Sequence, residues 1–154
     1  MELQARETEG LEPPGACFRL LEGHDAAIYA ALLWSSINYG NMLITGSRDK
    51  SLKVWNVDNS MCILTLRGHT EDVVCLAASP NNSLDPLIAS GSTDKKIILW
   101  ALLSGKKVLE LDRHKSVVTA VAIIQDPDPI LISAGSDSDI ICWNLSNGSI
   151  IRFL

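Results

Sequence analysis

No apolar run in this sequence approaches the roughly 18 residues that a membrane-spanning helix requires. The N-terminus, Met1-Glu2-Leu3-Gln4-Ala5-Arg6-Glu7, has neither the basic start nor the apolar stretch of a signal peptide. Basic charge is also short: 13 lysines and arginines stand against 18 acids, a net charge of −5 with histidine neutral. Of that, −3 falls within Met1 to Ala16, so the body of the chain is nearly neutral. This balance disfavours a protein that wraps nucleic acid by neutralising phosphates, and it offers no polybasic patch to an anionic membrane. The four cysteines, Cys17, Cys62, Cys75 and Cys142, form no C-x-x-C pair and match no zinc or redox spacing. They are expected as reduced thiols filling apolar positions, in a cytoplasmic protein (the nucleus remains open) rather than a secreted one.

What is present is the composition of one folded domain. The chain has 154 residues, 47% hydrophobic and 20% charged, enough to bury a core and too apolar for disorder throughout.

Its organisation is periodic. His24, His69 and His114 are 45 residues apart both times. Asp49, Asp94 and Asp137 follow at spacings of 45 and 43, and Trp55, Trp100 and Trp143 each lie six residues after their aspartate. A hydroxyl stands four residues before each aspartate, at Thr45, Ser90 and Ser133. Four residue types in register over three copies define a repeat.

Inside each copy, short apolar runs alternate with turn residues, which reads as four strands per period. The first copy predicts strands at Ile28–Leu33, Met42–Gly46, Ser51–Asn56 and Met61–Leu66. The second predicts Val73–Ala78, Leu87–Gly91, Lys96–Leu102 and Lys107–Leu111. The third predicts Val117–Ile124, Ile130–Ala134, Asp139–Asn144 and Ser149–Leu154. First strands such as Val73–Ala78 are apolar on both faces, as in a sheet covered on both sides.

With these residues the chain resembles the WD40 repeat family, whose period is about 40–45 residues, with four strands per blade and a Gly-His…Trp-Asp signature. The likeness runs from Cys17 to Leu154. Two features depart from the pattern: the acid after tryptophan is missing in Trp55-Asn56, Trp100-Ala101 and Trp143-Asn144, and Arg113 stands where the glycine before His114 is expected. The resemblance implies an all-β fold of three four-stranded antiparallel propeller blades plus one extra N-terminal strand, an incomplete propeller. Its expected divisions are an acidic disordered leader at 1–16, a preceding blade's last strand and loop at 17–24, and blades at 25–66, 67–111 and 112–154.

The resemblance also implies a role for the register residues. Serine, histidine and aspartate are the parts of a hydrolase triad, but a triad has no reason to recur at constant period. In the family such residues form a buried chain from Trp to Ser/Thr to His to Asp. Carried over, the sets are His24, Thr45, Asp49, Trp55; His69, Ser90, Asp94, Trp100; and His114, Ser133, Asp137, Trp143. A buried indole N–H without a partner costs about 1–3 kcal/mol, which such a chain removes. Catalytic residues, metal ligands and cofactors are not expected. Ser79-Pro80 reads as a turn rather than a phosphorylation site, and Asp126 and Asp128, flanked by Pro127 and Pro129, as a rigid solvated loop. Lys95-Lys96 and Lys106-Lys107 border strands, where lysine guards sheet edges. Trp34, outside the signature, reads as packing.

Propellers close with typically four to eight blades, and only three repeats are present. The segment Cys17-Phe18-Arg19-Leu20-Leu21-Glu22-Gly23-His24 resembles the last strand of a preceding blade, so the N-terminal part of a larger propeller is expected. A three-bladed arc leaves apolar faces at both terminal blades, which opens a route to self-association.

The family likeness implies a non-catalytic scaffold for protein partners, bound at the rim built by the loops before each first strand and the turns between second and third strands. That rim maps to Asp25, Arg48, Thr70, Glu71, Asp72, Thr93, Asp112, Lys115, Ser116 and Ser136. Its mixed charge does not specify the partner. The alternatives are an RNA-binding WD40 module, which the charge balance disfavours, and the propeller part of a larger enzyme or ubiquitin-ligase receptor. The arginine two residues after the Trp-Asp pair, frequent in such receptors, is absent from all three copies.

Overall fold

The computed structural model describes residues 20–80, 86–125 and 129–154, with only the backbone of Gln125. The leader at 1–16 and the Asp126–Asp128 loop lie outside these residues. So do Cys17 to Arg19 of the expected extra strand, while Leu20 to His24 approach the first sheet without strand pairing. The described residues contain no helix, and hence none long and apolar enough to cross a membrane.

Twelve strands make three antiparallel sheets, each a simple meander. The first holds β1 (Ile28–Ser36), β2 (Gly40–Ser47), β3 (Ser51–Asn56) and β4 (Met61–Arg67). The second holds β5 (Val73–Ala78), β6 (Leu87–Ser92), β7 (Lys96–Ala101) and β8 (Lys107–Asp112). The third holds β9 (Val118–Gln125), β10 (Pro129–Gly135), β11 (Ile140–Asn144) and β12 (Ile150–Phe153). β1 runs to Ser36, past the expected Leu33, because the hairpin closes only at Ile37 to Tyr39, ahead of Gly40 with its φ of 72°.

The sheets stack through their first strands, β1 against β5 and β5 against β9. β5 is therefore sandwiched, which accounts for its apolar residues on both faces. Two cores fill the joints between blades. Trp34, Ile44 and Val54 of blade 1 meet Val73, Ile98 and Trp100 of blade 2 in one. Ala89, Ile97 and Leu99 of blade 2 meet Val118, Leu131 and Trp143 of blade 3 in the other. Cross-strand pairing puts each blade's hydroxyl and tryptophan on one face, here called leading, which turns toward the preceding blade. The opposite, trailing face turns toward the next.

Every β2–β3-type turn carries one non-glycine residue in the left-handed region: Lys50 (φ 68°), Lys95 (φ 72°) and Ser138 (φ 68°), each directly after its aspartate. Trp34 is buried, as expected of a packing residue. Ser79 is buried and closes the β5–β6 turn, donating its own N–H to Leu87 O and accepting the Leu87 N–H on its hydroxyl, both at 2.8 Å. The expectation for cysteine needs one correction. Cys142 is buried and Cys75 partly so, but Cys62 is exposed, because β4 is the outermost strand of its sheet.

Candidate functional site

Each blade joins two distant loops through one histidine and one carboxylate. In blade 1, Trp55 Nε1–H donates to Thr45 Oγ1 at 2.8 Å, Thr45 lies 2.7 Å from His24 Nε2, and His24 Nδ1 lies 2.6 Å from Asp49 Oδ2. In blade 2 the same steps run from Trp100 to Ser90 (2.9 Å), to His69 (2.8 Å), to Asp94 (2.8 Å). In blade 3 they run from Trp143 to Ser133 (2.8 Å), to His114 (2.8 Å), to Asp137 (3.0 Å). A neutral imidazole protonated at Nδ1 satisfies every donor in one direction: indole to hydroxyl, hydroxyl to Nε2, Nδ1–H to carboxylate.

The carboxylates do further work at the surface end. Asp49, Asp94 and Asp137 accept the backbone N–H of the residue after each histidine: Asp25 at 3.1 Å, Thr70 at 3.0 Å and Lys115 at 2.7 Å. Their other oxygens accept N–H groups across the turn, from Ser51, Lys96 and Asp139. Burial by itself would raise these acids. The hydrogen bonds outweigh it, and Asp94 and Asp137 are lowered to about 2, with His69 and the Lys115 N–H respectively as the leading donors. Asp49 is lowered further, with the Ser51 hydroxyl added to His24.

These twelve residues are thus brought together in three sets, and each hydroxyl is spent inside its set. Thr45, Ser90 and Ser133 are 4%, 0% and 1% exposed, out of reach of any substrate. Among the described residues no cluster of histidine, cysteine and acid could hold a metal ion.

Sequence reasoning missed a supporting hydroxyl. Ser47 and Ser92, two residues before their aspartates, are fully buried and accept the N–H of Asp49 and Asp94. Their spacing was a usable signal in two copies. The third has Gly135, where a Cβ would stand 2.6 Å from His114 Nδ1, so blade 3 leaves no room for that serine.

Nine of the ten expected rim residues fall on the loops and turns that the carboxylates tie together, and Asp112 ends β8 just ahead of one of them. Backbone bonds complete the tie: Arg48 N–H to Ala27 O, Thr93 N–H to Asp72 O and Ser136 N–H to Val117 O. Asp25, Arg48, Thr70, Glu71, Asp112, Lys115 and Ser136 are exposed; Asp72, Thr93 and Ser116 are half-buried. Two members are engaged in ion pairs, Glu71 with Lys50 of the preceding blade at 3.6 Å and Asp112 with Lys96 at 3.8 Å.

Repeated four-stranded meanders stacked through their first strands, each holding one Trp–Ser/Thr–His–Asp chain, define a segment of β-propeller. Residues 15–56, 60–101 and 105–144 match the WD domain, G-beta repeat. The chain belongs to the WD40 repeat family. It is 40% identical over 68 residues to nuclear distribution protein PAC1 of Arthroderma otae, covering 41% of this chain and 15% of that protein. It is 42% identical over 55 residues to F-box/WD repeat-containing protein 7 of Drosophila melanogaster, covering 36% of this chain and 4% of that protein. Solved structures of U3-55K and of the RRP9 WD40 repeats superpose with TM-scores of 0.78 and 0.77 at 22% and 23% identity. Each superposition covers 88% of this chain and 41% of the other, so the chain spans well under half the length of these proteins.

Proposed function

We propose that this chain serves as a non-catalytic scaffold for protein partners, which bind the rim formed by the histidine loops and the β2–β3-type turns. The observation that carries this reading is the enclosure of all three Ser/Thr–His–Asp sets. Each set has its hydroxyl buried and its carboxylate saturated by backbone N–H groups, so its chemistry goes into holding loops still rather than into turnover. A rim pre-organised in this way binds with little ordering cost. One relative, by its name, joins an F-box to WD repeats, in keeping with repeats that act as the binding part of a longer protein. The reading places the chain in the cytoplasm or nucleus, where Cys62, Cys75 and Cys142 stay reduced.

The test compares partners retained by the wild-type chain with those retained by Arg48→Glu and Lys115→Glu, and by Asn38→Lys on the β1–β2 turn at the opposite end. Loss of the same partner from the rim variants alone supports the reading. Equal retention by all, or loss only with Asn38→Lys, overturns it. A shift of generic RNA that weakens steeply with salt favours the RNA-binding alternative instead.

A further inference from the structure

The histidine loops hold equivalent residues at equivalent places. Ala27, Asp72 and Val117 each accept an N–H from the β2–β3-type turn of their own blade, at Arg48, Thr93 and Ser136. The residues just before these acceptors, Ala26, Glu71 and Ser116, therefore correspond as well. Lys50 and Lys95 correspond in the same way, each in the left-handed region directly after its aspartate, with its N–H bonded to Ser47 O or Ser92 O. The two joints also match in spacing. A Cβ on Gly46 would stand 2.7 Å from Val73 Cγ1 of the next blade, and a Cβ on Gly91 would stand 2.7 Å from Val118 Cγ1.

At the first joint this geometry brings Lys50 Nζ to 3.6 Å from Glu71 Oε1. At the second joint Ser116 stands in the place of Glu71, opposite Lys95, so a hydroxyl replaces the carboxylate. Among the described residues the Ser116 hydroxyl has no hydrogen bond and Lys95 Nζ no ion pair. A phosphate ester would supply the missing anion. Its phosphorus lies three bonds from the serine Cα, as the carboxyl carbon of glutamate does, and it carries about −2 charge and three strong acceptor oxygens.

The flank of Ser116 suits such a modification. Arg113, three residues before it, and Lys115, directly before it, are both exposed, a basic pattern that the acidic cleft of an arginine-directed kinase reads. Arg67 and Thr70 repeat the spacing in blade 2, but Asp94 holds the Thr70 N–H at 3.0 Å, so a phosphate on Thr70 would meet a carboxylate. The nearest such group to Ser116, Asp137, lies one residue further off, against the Lys115 N–H.

We propose that Ser116 is a phosphorylation site whose phosphate ties blade 3 to blade 2 through Lys95, the counterpart of the Glu71–Lys50 pair. In the step, Ser116 Oγ bonds to the γ-phosphorus of a nucleoside triphosphate held by a protein kinase. The hydroxyl proton passes to the kinase's base, and the nucleoside diphosphate leaves. The dianion gives a stronger tie than the carboxylate, whose pair is an exposed one of small worth. The tie concerns the joint and holds whatever the rim binds.

The test treats the full 154-residue chain with ATP and a purified serine kinase that requires arginine three residues before its target. Peptide mass mapping should place a phosphate on Ser116, absent from Ser116→Ala and added at least about tenfold more slowly to Arg113→Gly. In urea the phosphorylated chain should show a ratio of folded to unfolded protein raised about threefold. Lys95→Gln, at an exposed site and verified as folded by near-UV circular dichroism, should abolish that gain. Ser116→Glu, which copies Glu71, should give a smaller gain that also needs Lys95, so the joint is tested without the kinase. A Ser116 that the kinase leaves unmodified overturns the proposal. So does a phosphate that leaves the midpoint unchanged, or one that raises it equally in Lys95→Gln.

Discussion

The indole N–H of Trp34 donates to the main-chain oxygen of Ser79 at 3.1 Å, and the two residues are 45 apart, one full repeat. Trp34 and Ser79 hold the same position in successive blades. The bond is buried and bridges the first joint beside Ile44 and Val54, so the one tryptophan outside the signature acts as a latch between sheets.

Replacing Trp34 by phenylalanine keeps most of the apolar packing and leaves the Ser79 oxygen without that donor. A buried acceptor stripped of its partner costs about 1–3 kcal/mol. Urea unfolding of Trp34→Phe should show that loss as a lower midpoint at unchanged slope. An unaltered midpoint would mean that water takes over the bond.

Ser90→Ala removes the hydroxyl on which both Trp100 and His69 depend, at a site with no exposure. Two buried groups lose a partner, so a destabilisation of about 2–4 kcal/mol is expected. Ser90→Thr retains the hydroxyl, and Thr45 fills the same place in blade 1, so the threonine variant should lose less than the alanine variant. Equal losses would show that packing, not the hydrogen-bond chain, sets the cost.

Acid should unfold the protein in a defined window. Asp94 and Asp137 are lowered to about 2 in the folded state, against about 4 for an unfolded aspartate. A depressed carboxyl contributes stability that is fully present above its unfolded value and is lost as pH falls through its folded value. Denaturant midpoints should therefore hold steady down to pH about 4 and fall between about 4 and 2. Asp94→Asn should flatten that slope. A wild-type curve that is flat to pH about 2 would overturn the assignment.

Lys95 sits in the left-handed region at φ 72° with its side chain exposed. A residue with a Cβ is strained there by about 1–2 kcal/mol, and glycine is not. Lys95→Gly should raise the thermal midpoint, with a gain of up to about 1 kcal/mol once the extra freedom of unfolded glycine is subtracted. A lower midpoint would mean that the lysine makes a compensating contact.

The partners within each tetrad were legible because they recur within one period. Trp55, Thr45 and Asp49 lie on one hairpin, and His24 enters ahead of it, so three copies exposed the residues in register by repetition, and the family resemblance implied that they are bonded to one another. Ser47 and Ser92 were less visible because Gly135 breaks the series. The exposure of Cys62 was hidden for another reason: apolar neighbours such as Ile63 and Leu64 do not reveal that β4 is an outer strand with one side open.

The sequence by itself determined the repeat, the four strands of each copy and the all-β class, which follow from alternation along a strand and from the constant period; that the register side chains share a hydrogen-bond chain was implied by the family resemblance. Only the tertiary structure decided how one blade meets the next: that Trp34 reaches Ser79, and that Gly46 and Gly91 are bare because Val73 and Val118 lie against them. Such contacts join residues a blade apart across stacked sheets. They depend on close packing between surfaces, which no period along the chain records.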